Sequence, residues 1–244
     1  MKKLFILISI LVCGIKTFAQ YNDSTHYHTS FSSTGNINRT QDGNSYLIAN
    51  ALNLGVHKKD IEFSLASNYV YGRQNNALTN QDFITTVTTN FYKFTPFKHS
   101  YYWGLVNYNT SFSLKINNQT QAGIGIAYSI VDKKNAYISV SDGVLYDVGN
   151  LTVDTTHYSY NTYRNSLRLL FHFNVKDIFL FDANGYLQNS FQQGSDYIIK
   201  TNSTLTIKVK KWLGLTTSVS YNRMNITESE NLLFTYGLTI DKYF

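Results

Sequence analysis

NLLFTYGLTIDKYF, at residues 231–244, alternates large apolar side chains with small or polar ones. One face carries Leu232, Phe234, Tyr236, Leu238, Ile240 and Phe244, and the other carries Thr235, Gly237, Thr239 and Asp241. Successive side chains of a β-strand point to opposite faces, so this pattern predicts a strand with one apolar face. Alternation over about ten residues is long for a soluble strand and matches a tilted transmembrane strand.

The same period of two recurs along the rest of the chain at intervals of roughly twenty residues, as hairpins of transmembrane strands would give. The weakest segments are 136–147, whose faces are mixed, and 25–38, which is polar on both faces. Counting both gives about twelve strands, with ten as the alternative. The sequence therefore predicts an all-β fold: a single antiparallel up-and-down transmembrane β-barrel over residues 20–244, without a large helical domain.

The connections between these segments differ in predicted length. Those after the even-numbered strands are short and lie around residues 58–60, 132–135, 176–177 and 210–212 and at Pro96. Several of the others are longer and rich in turn residues, at 75–80, 148–157, 192–196 and 225–231. Short periplasmic turns and longer outer loops are typical of outer-membrane barrels. This pattern predicts that both chain termini lie in the periplasm.

The first nineteen residues have the three parts of a secretory signal peptide. Lys2 and Lys3 precede an apolar run at residues 4–15, and Ala19 ends a segment suited to cleavage. Loss of residues 1–19 removes the only cysteine and three of the 21 basic residues, so the net charge falls from +6 to +3. Apart from Lys208, Lys210 and Lys211, the remaining basic residues are scattered. This argues against a nucleic-acid partner, because such proteins cluster their positive charge.

Composition also favours two-faced strands over a soluble domain. Charged residues make up 15% of the chain, where about 25% is ordinary, and there are 20 tyrosines but one proline. A soluble β-sandwich or periplasmic ligand-binding barrel, the structural alternative, usually has more charge and proline in its loops.

Two glycine-containing segments carry a family resemblance. Ser33-Thr34-Gly35-Asn36-Ile37-Asn38 and Thr120-Gln121-Ala122-Gly123-Ile124-Gly125-Ile126-Ala127-Tyr128 resemble segments of the salt-induced outer-membrane protein family, a barrel domain of unknown function. The resemblance spans nearly the whole mature chain. It implies a place in the bacterial outer membrane and a link to salt stress, with no established chemistry.

The end of the chain resembles the signal that the barrel assembly machinery recognises. Phe244 is the terminal aromatic residue, and Ile240, Leu238 and Tyr236 lie on the same face. The resemblance implies that the assembly machinery and outer-membrane lipids are partners of a chain that we expect to be a monomer.

Charged residues are also predicted on the inward face. Arg164, Arg168 and His172 recur every four residues on one strand, and a short turn would place His172 opposite Asp182 on the next. Such side chains either stabilise a polar lumen or line a conducting one.

Three lysines form a second inward set. If Lys200, Lys208 and Lys210 faced open water, they would favour anions in the lumen. Pairing with inward carboxylates such as Glu62 and Asp82 would neutralise their charge and remove this preference. We expect little conductance, because Arg164, Arg168 and Tyr186 would fill much of the interior.

No enzyme, cofactor or metal site is predicted from the sequence. His26 and His28 lack a third ligand at metal spacing. An outer-membrane lipid-modifying enzyme is the alternative function, but the nearest histidine and serine, His99 and Ser100, are adjacent and would point to opposite faces of a strand. A structural or small-solute passage role is the main expectation.

The first prediction concerns export: the mature protein begins at Gln20. Mass spectrometry of the N-terminus of the purified protein checks it. Detection of Met1, or of a lipid on Cys13, would contradict the signal peptide.

Overall fold

A computed structural model describes residues 25–41, 43–93, 95, 97–133, 135–153 and 156–243, which form twelve strands and one short 3-10 helix. The strands are β1 (Thr25–Arg39), β2 (Asn44–Lys58), β3 (Ile61–Gln74), β4 (Ala77–Phe91), β5 (Ser100–Ser111), β6 (Ile116–Lys133), β7 (Ala136–Val153), β8 (Thr156–Val175), β9 (Phe179–Ser190), β10 (Tyr197–Lys210), β11 (Leu213–Met224) and β12 (Ser229–Tyr243). The 3-10 helix, η1, is Asn225–Thr227. None of the described residues forms a helix long and apolar enough to cross a membrane.

Each strand pairs antiparallel with its neighbours in the chain, and β1 pairs with β12, so the sheet closes on itself. The seam runs from His28 opposite Tyr243 to Gly35 opposite Tyr236. The predicted antiparallel barrel and its count of twelve strands are confirmed, and the alternative of ten is wrong. We call the end where β1 begins and β12 finishes the termini end, and the opposite end the far end.

The two faces of the strands match the alternation in the sequence. On β12, Phe234 is 54% exposed and Leu238 is 51% exposed, while Thr235 between them is 4% exposed. Comparable outward apolar residues occur on every strand of the barrel. These apolar side chains form a band around the outside of the barrel and are not buried against other parts of the protein. Such a band indicates that the barrel lies in apolar surroundings.

One half of the interior is filled by side chains from β5, β6 and β7. Tyr101, Trp103, Ala127 and Leu145 are buried together there. Leu145 points inward and Asp142 is exposed, which explains why the faces of segment 136–147 looked mixed.

Glycines make room for this packing. A Cβ atom on Gly125 would lie 2.5 Å from Trp103 Cζ2, and one on Gly143 would lie at the same distance from that atom. Gly125 belongs to the second segment of the family resemblance. Its role here is steric, because only a residue without a side chain leaves space for the indole ring.

The first segment of the resemblance lies at the seam. Thr34 Oγ1 donates a hydrogen bond to Thr235 Oγ1 at 3.0 Å. Opposite Thr34, a Cβ on Gly237 would lie 2.1 Å from the Ser33 carbonyl oxygen. The close approach of β12 to β1 therefore depends on glycine at this position.

The predicted difference in loop length is confirmed in part. The connections at 191–196 and 225–228 are longer than the turns at 59–60, 176–178 and 211–212, but the long loops predicted at 75–80 and 148–157 are wrong. Asn75 and Asn76, with φ of 48° and 65°, alone connect β3 to β4, as in a tight two-residue hairpin turn. Similarly, β7 runs to Val153 and β8 begins at Thr156, while the longest connection, 92–99, lies at the termini end. Polar residues that looked like loops extend the strands instead.

Several predicted features fall outside the described residues. They are the signal peptide at 1–19 with Cys13, the turn residue Pro96 and the terminal Phe244.

The assigned faces predict opposite effects for arginine at neighbouring positions of β12. Leu238→Arg places a charge on the apolar outer band and should cost about 2–4 kcal/mol of folding free energy in a bilayer. Thr239→Arg, which points into the lumen, should cost less. Urea unfolding in lipid vesicles measures both, and equal losses would refute the assigned faces.

A second substitution tests the filled half of the interior. Gly125→Ala should destabilise the barrel by about 1–3 kcal/mol, because the new methyl group overlaps Trp103. Gly104→Ala is the matched control, since its nearest neighbours lie 3.9 Å away. The temperature at which the folded band disappears on a gel reports both; the two variants melting together would count against this packing.

Candidate functional site

The half of the interior that is not filled holds a cavity of about 740 Å³. It extends from Trp212 and His28 near the termini end to Leu114 at the far end. Between them the wall consists mainly of hydroxyl and amide side chains from β1 to β4 and from β9 to β12. Hydroxyls also bond to one another across strands, as Thr216 Oγ1 does with Thr239 Oγ1 at 2.6 Å. The wall is polar, and with the exceptions described below it is electrically neutral.

The far end is closed by an apolar cluster that we call the lid. Its members are Leu114, Ile116, Leu151, Ile198 and Met224, each no more than 5% exposed. They come from β6, β7, β10, β11 and the turn after β5. Since strands on well-separated parts of the wall contribute, their side chains meet above the lumen.

Hydrogen bonds join opposite walls at the lid. Thr227 Oγ1 of η1 donates to the Leu114 carbonyl oxygen at 3.1 Å, and Asn231 Nδ2 donates to Ser113 Oγ at 2.7 Å. In a closed ring of twelve strands, the β5–β6 and β11–β12 turns lie on opposite sides. Asn225 Nδ2 also donates to the Ser195 carbonyl oxygen at 2.7 Å, so the β9–β10 turn is held in the same closure.

A buried ionic group supports the closure from below. Arg164 is 0% exposed and forms ion pairs with Asp147 and Asp196. Its Nη2 lies 2.8 Å from Asp196 Oδ2, and Asp147 also accepts hydrogen bonds from Tyr160 and Gln119. Charges this deeply buried require full pairing, and here each has it.

Two further inward cations have different surroundings. Arg168 and Lys200 both line the cavity, and Tyr186 pairs with each of them across neighbouring strands. The Arg168 guanidinium carbon lies 5.2 Å from the centroid of the Tyr186 ring. Neither cation forms an ion pair with a described residue.

Two further groups of charged side chains in the lumen are paired with opposite charges. His172 Nδ1 lies 2.6 Å from Asp182 Oδ1, which is the contact expected from the short turn between β8 and β9. Near the termini end, Asp241 lies 2.6 Å from His28 Nε2 and 3.4 Å from Lys208 Nζ.

The predicted carboxylate partners of the lysines are engaged elsewhere. Glu62 accepts hydrogen bonds from Tyr92 and Asn90, and Asp82 accepts them from Ser111, Ser113 and Asn80. Lys208 is instead paired with Asp241 of β12.

Lys210 departs from its predicted inward position. The pairing of β10 with β11 shifts register between Lys208 and Lys210. Lys210 is consequently exposed, with its ammonium 5.9 Å from the Trp212 ring centroid, and it does not line the cavity.

Sequence reasoning missed the lid, Asp147 and Asp196. Asp147 follows the inward alternation of β7, so its position could have been found once that strand was assigned. Asp196 lies in a turn, and strand periodicity contains no sign that this turn folds inward.

The geometry does not assemble a catalytic group from the predicted residues. His99 Nδ1 lies 3.8 Å from Asp132, and Ser100 Oγ donates to the Phe97 carbonyl oxygen at 2.6 Å. Across the described part of the chain, no three His, Cys, Asp or Glu side chains are grouped to hold a metal ion.

A closed barrel with an apolar outer band and a polar lumen defines the class of outer-membrane-type β-barrels. The NanC porin has this fold, with a TM-score of 0.51 and 8% identity over 88% of this chain and 98% of the porin. A model of the family described as "Protein of unknown function, DUF481" matches residues 31–239, so the chain belongs to that family.

Two other solved barrels align along most of their length. The translocator domain of the autotransporter NalP from Neisseria meningitidis is 10% identical, with a TM-score of 0.48, over 98% of this chain and 95% of that domain. An outer-membrane channel from Pseudomonas putida F1 is 9% identical, with a TM-score of 0.49, over 91% of this chain and 96% of the channel. No protein of curated function matches the sequence.

The buried ionic group yields a stability prediction. Arg164→Met leaves Asp147 and Asp196 buried without their cation and should cost about 3–5 kcal/mol of folding free energy. Arg168→Met removes a cation without an ion-pair partner and should cost much less. Urea unfolding followed by tryptophan fluorescence measures the free energy of unfolding of both variants. Similar losses would contradict a stabilising contribution from the buried ion pairs of Arg164.

Proposed function

We propose that the protein is an outer-membrane barrel that admits small polar solutes, and that the conformation described here is its closed state. The observation that carries the proposal is the polar cavity of about 740 Å³ beneath an apolar lid. A barrel with a purely structural role has no need of a continuous polar wall along half of its interior.

The surroundings of the barrel follow from its outer band. Exposed Phe, Leu, Ile and Tyr side chains on all strands favour a lipid environment, and a signal peptide at 1–19 would bring the chain to the periplasm. On this proposal a monomer is inserted by the assembly machinery with its termini in the periplasm. The far end with its lid then faces outward, and production would respond to salt as the family resemblance implies.

The division of the lumen limits what can pass. Trp103, Tyr101 and Leu145 occupy one side, so the pathway is confined to the wall formed by β1 to β4 and β9 to β12. A solute crossing the barrel must also displace the lid. Passage is consequently restricted to small molecules and to moments when the turns at the far end separate.

The closed state has a direct electrical consequence. The wild-type protein in a planar bilayer should show little or no steady conductance. Leu114→Ser with Met224→Ser weakens the apolar contacts of the lid and admits water, so channel steps should appear.

A matched control is Leu232→Ser, which makes the same change near the far end on an outward, 69% exposed side chain. Leu232→Ser should show as little steady conductance as the wild type. Steady wild-type conductance would refute the closed state. A lid variant that is folded by its gel shift yet remains silent would refute the solute pathway.

A further inference from the structure

We propose that Arg168, Tyr186 and Lys200 form a binding site for a small hydroxylated carboxylate inside the lumen. The inference deepens the proposed function by naming the class of solute, and it rests on that function for its biological meaning. The site itself can be tested by binding, without any conductance.

The three residues form one row across three strands. Arg168 of β8 pairs with Tyr186 of β9, and Tyr186 pairs with Lys200 of β10. All three line the cavity. Neighbouring strands lie about 4.8 Å apart, so the two cations flank the phenol at one level of the wall.

The two cations have unused binding capacity. Arg168 Nε is buried and has no hydrogen-bond partner, and among the described residues neither cation has an ion pair. A buried guanidinium N–H without a partner is costly, and an anion in the cavity would supply the missing acceptor.

Carboxylates of the protein do not provide that acceptor. Those that line the cavity are Asp82, Asp182 and Asp241, and each is engaged by hydroxyl, amide, imidazole or ammonium groups. The row therefore retains an excess of positive charge that faces the cavity.

The surroundings indicate the class of anion. A planar guanidinium matches a carboxylate through two parallel hydrogen bonds, and the ammonium of Lys200 adds a point charge. Two residues nearer the termini end on each strand, Asn184 and Asn202 lie opposite each other and line the same cavity. Amides beside a carboxylate site suit the hydroxyl groups of the same solute, and the cavity volume lies in the range of small-molecule sites.

The position relative to the lid is also specific. Lys200 is two residues from Ile198 of the lid, and Arg168 is four residues from the buried Arg164. A solute bound by this row lies directly below the lid. It could pass the far end only when the turns there separate.

Calorimetric titration of the purified, folded wild-type protein with sodium gluconate tests the site. Gluconate carries one carboxylate and several hydroxyls, and sorbitol is its neutral counterpart. The wild type should bind gluconate and not sorbitol. Arg168→Gln and Lys200→Gln should each weaken gluconate binding about tenfold or more, because each loses a charge-assisted contact.

Lys210→Gln is the control, since it makes the same change on the same strand outside the lumen, and its affinity should equal that of the wild type. Absence of gluconate binding, equal binding in all variants, or tighter binding of inorganic phosphate than of gluconate would each overturn the inference. Gluconate binding without conductance in the lid variants would instead refute the proposed passage and leave the site standing. Conductance in the lid variants without gluconate binding would refute the binding site and leave the proposed passage of solutes standing.

Discussion

The closure of β12 on β1 is the constraint on which the rest of the structure depends. Once the ladder has no free edge, backbone N–H and C=O groups are satisfied within the sheet and every side chain must point either outward or into the lumen. That strict division explains why Phe234 and Thr235, adjacent in sequence, have such different exposure. At the seam, a Cβ on Gly237 would lie 2.1 Å from the Ser33 carbonyl oxygen, so this position tolerates only glycine.

A closed ring of twelve strands encloses more space than its inward side chains fill. In this protein, side chains fill one half of the lumen and leave a cavity in the other. On one side, Trp103 lies over Gly125 and Gly143 and is buried with Tyr101 and Leu145. On the other, short hydroxyl and amide side chains leave a polar cavity. The lid and the buried Arg164 group then close the far end, so the barrel combines a packed core, a polar cavity and a closure in one sheet.

The fold was largely readable from the sequence because a period of two repeats along most of the strands, although segments 25–38 and 136–147 did not show it clearly. The contact between His172 and Asp182 was also readable, because a short turn sets the register. Lumen pairing beyond neighbouring strands was not: Asp241 reaches Lys208 from β12, and Asp196 reaches Arg164 from a turn. Lys210 was misplaced because the pairing of β10 with β11 shifts register after Lys208, and alternation alone cannot reveal such a shift.

The central claim is that turns from opposite walls meet above the lumen, and a distance across that closure tests it most directly. The sequence contains one cysteine, Cys13 within the predicted signal peptide, so Ser113→Cys with Asn231→Cys would place the only two thiols of the mature chain at the closure. A short thiol-specific cross-linker applied to intact outer membranes should join them in high yield, with Ser113→Cys paired with Asn53→Cys as the distant control. Efficient cross-linking at 113 and 231 alone is the predicted result. Equal yields for both pairs, or none for either while both thiols remain reactive, would contradict a closed far end.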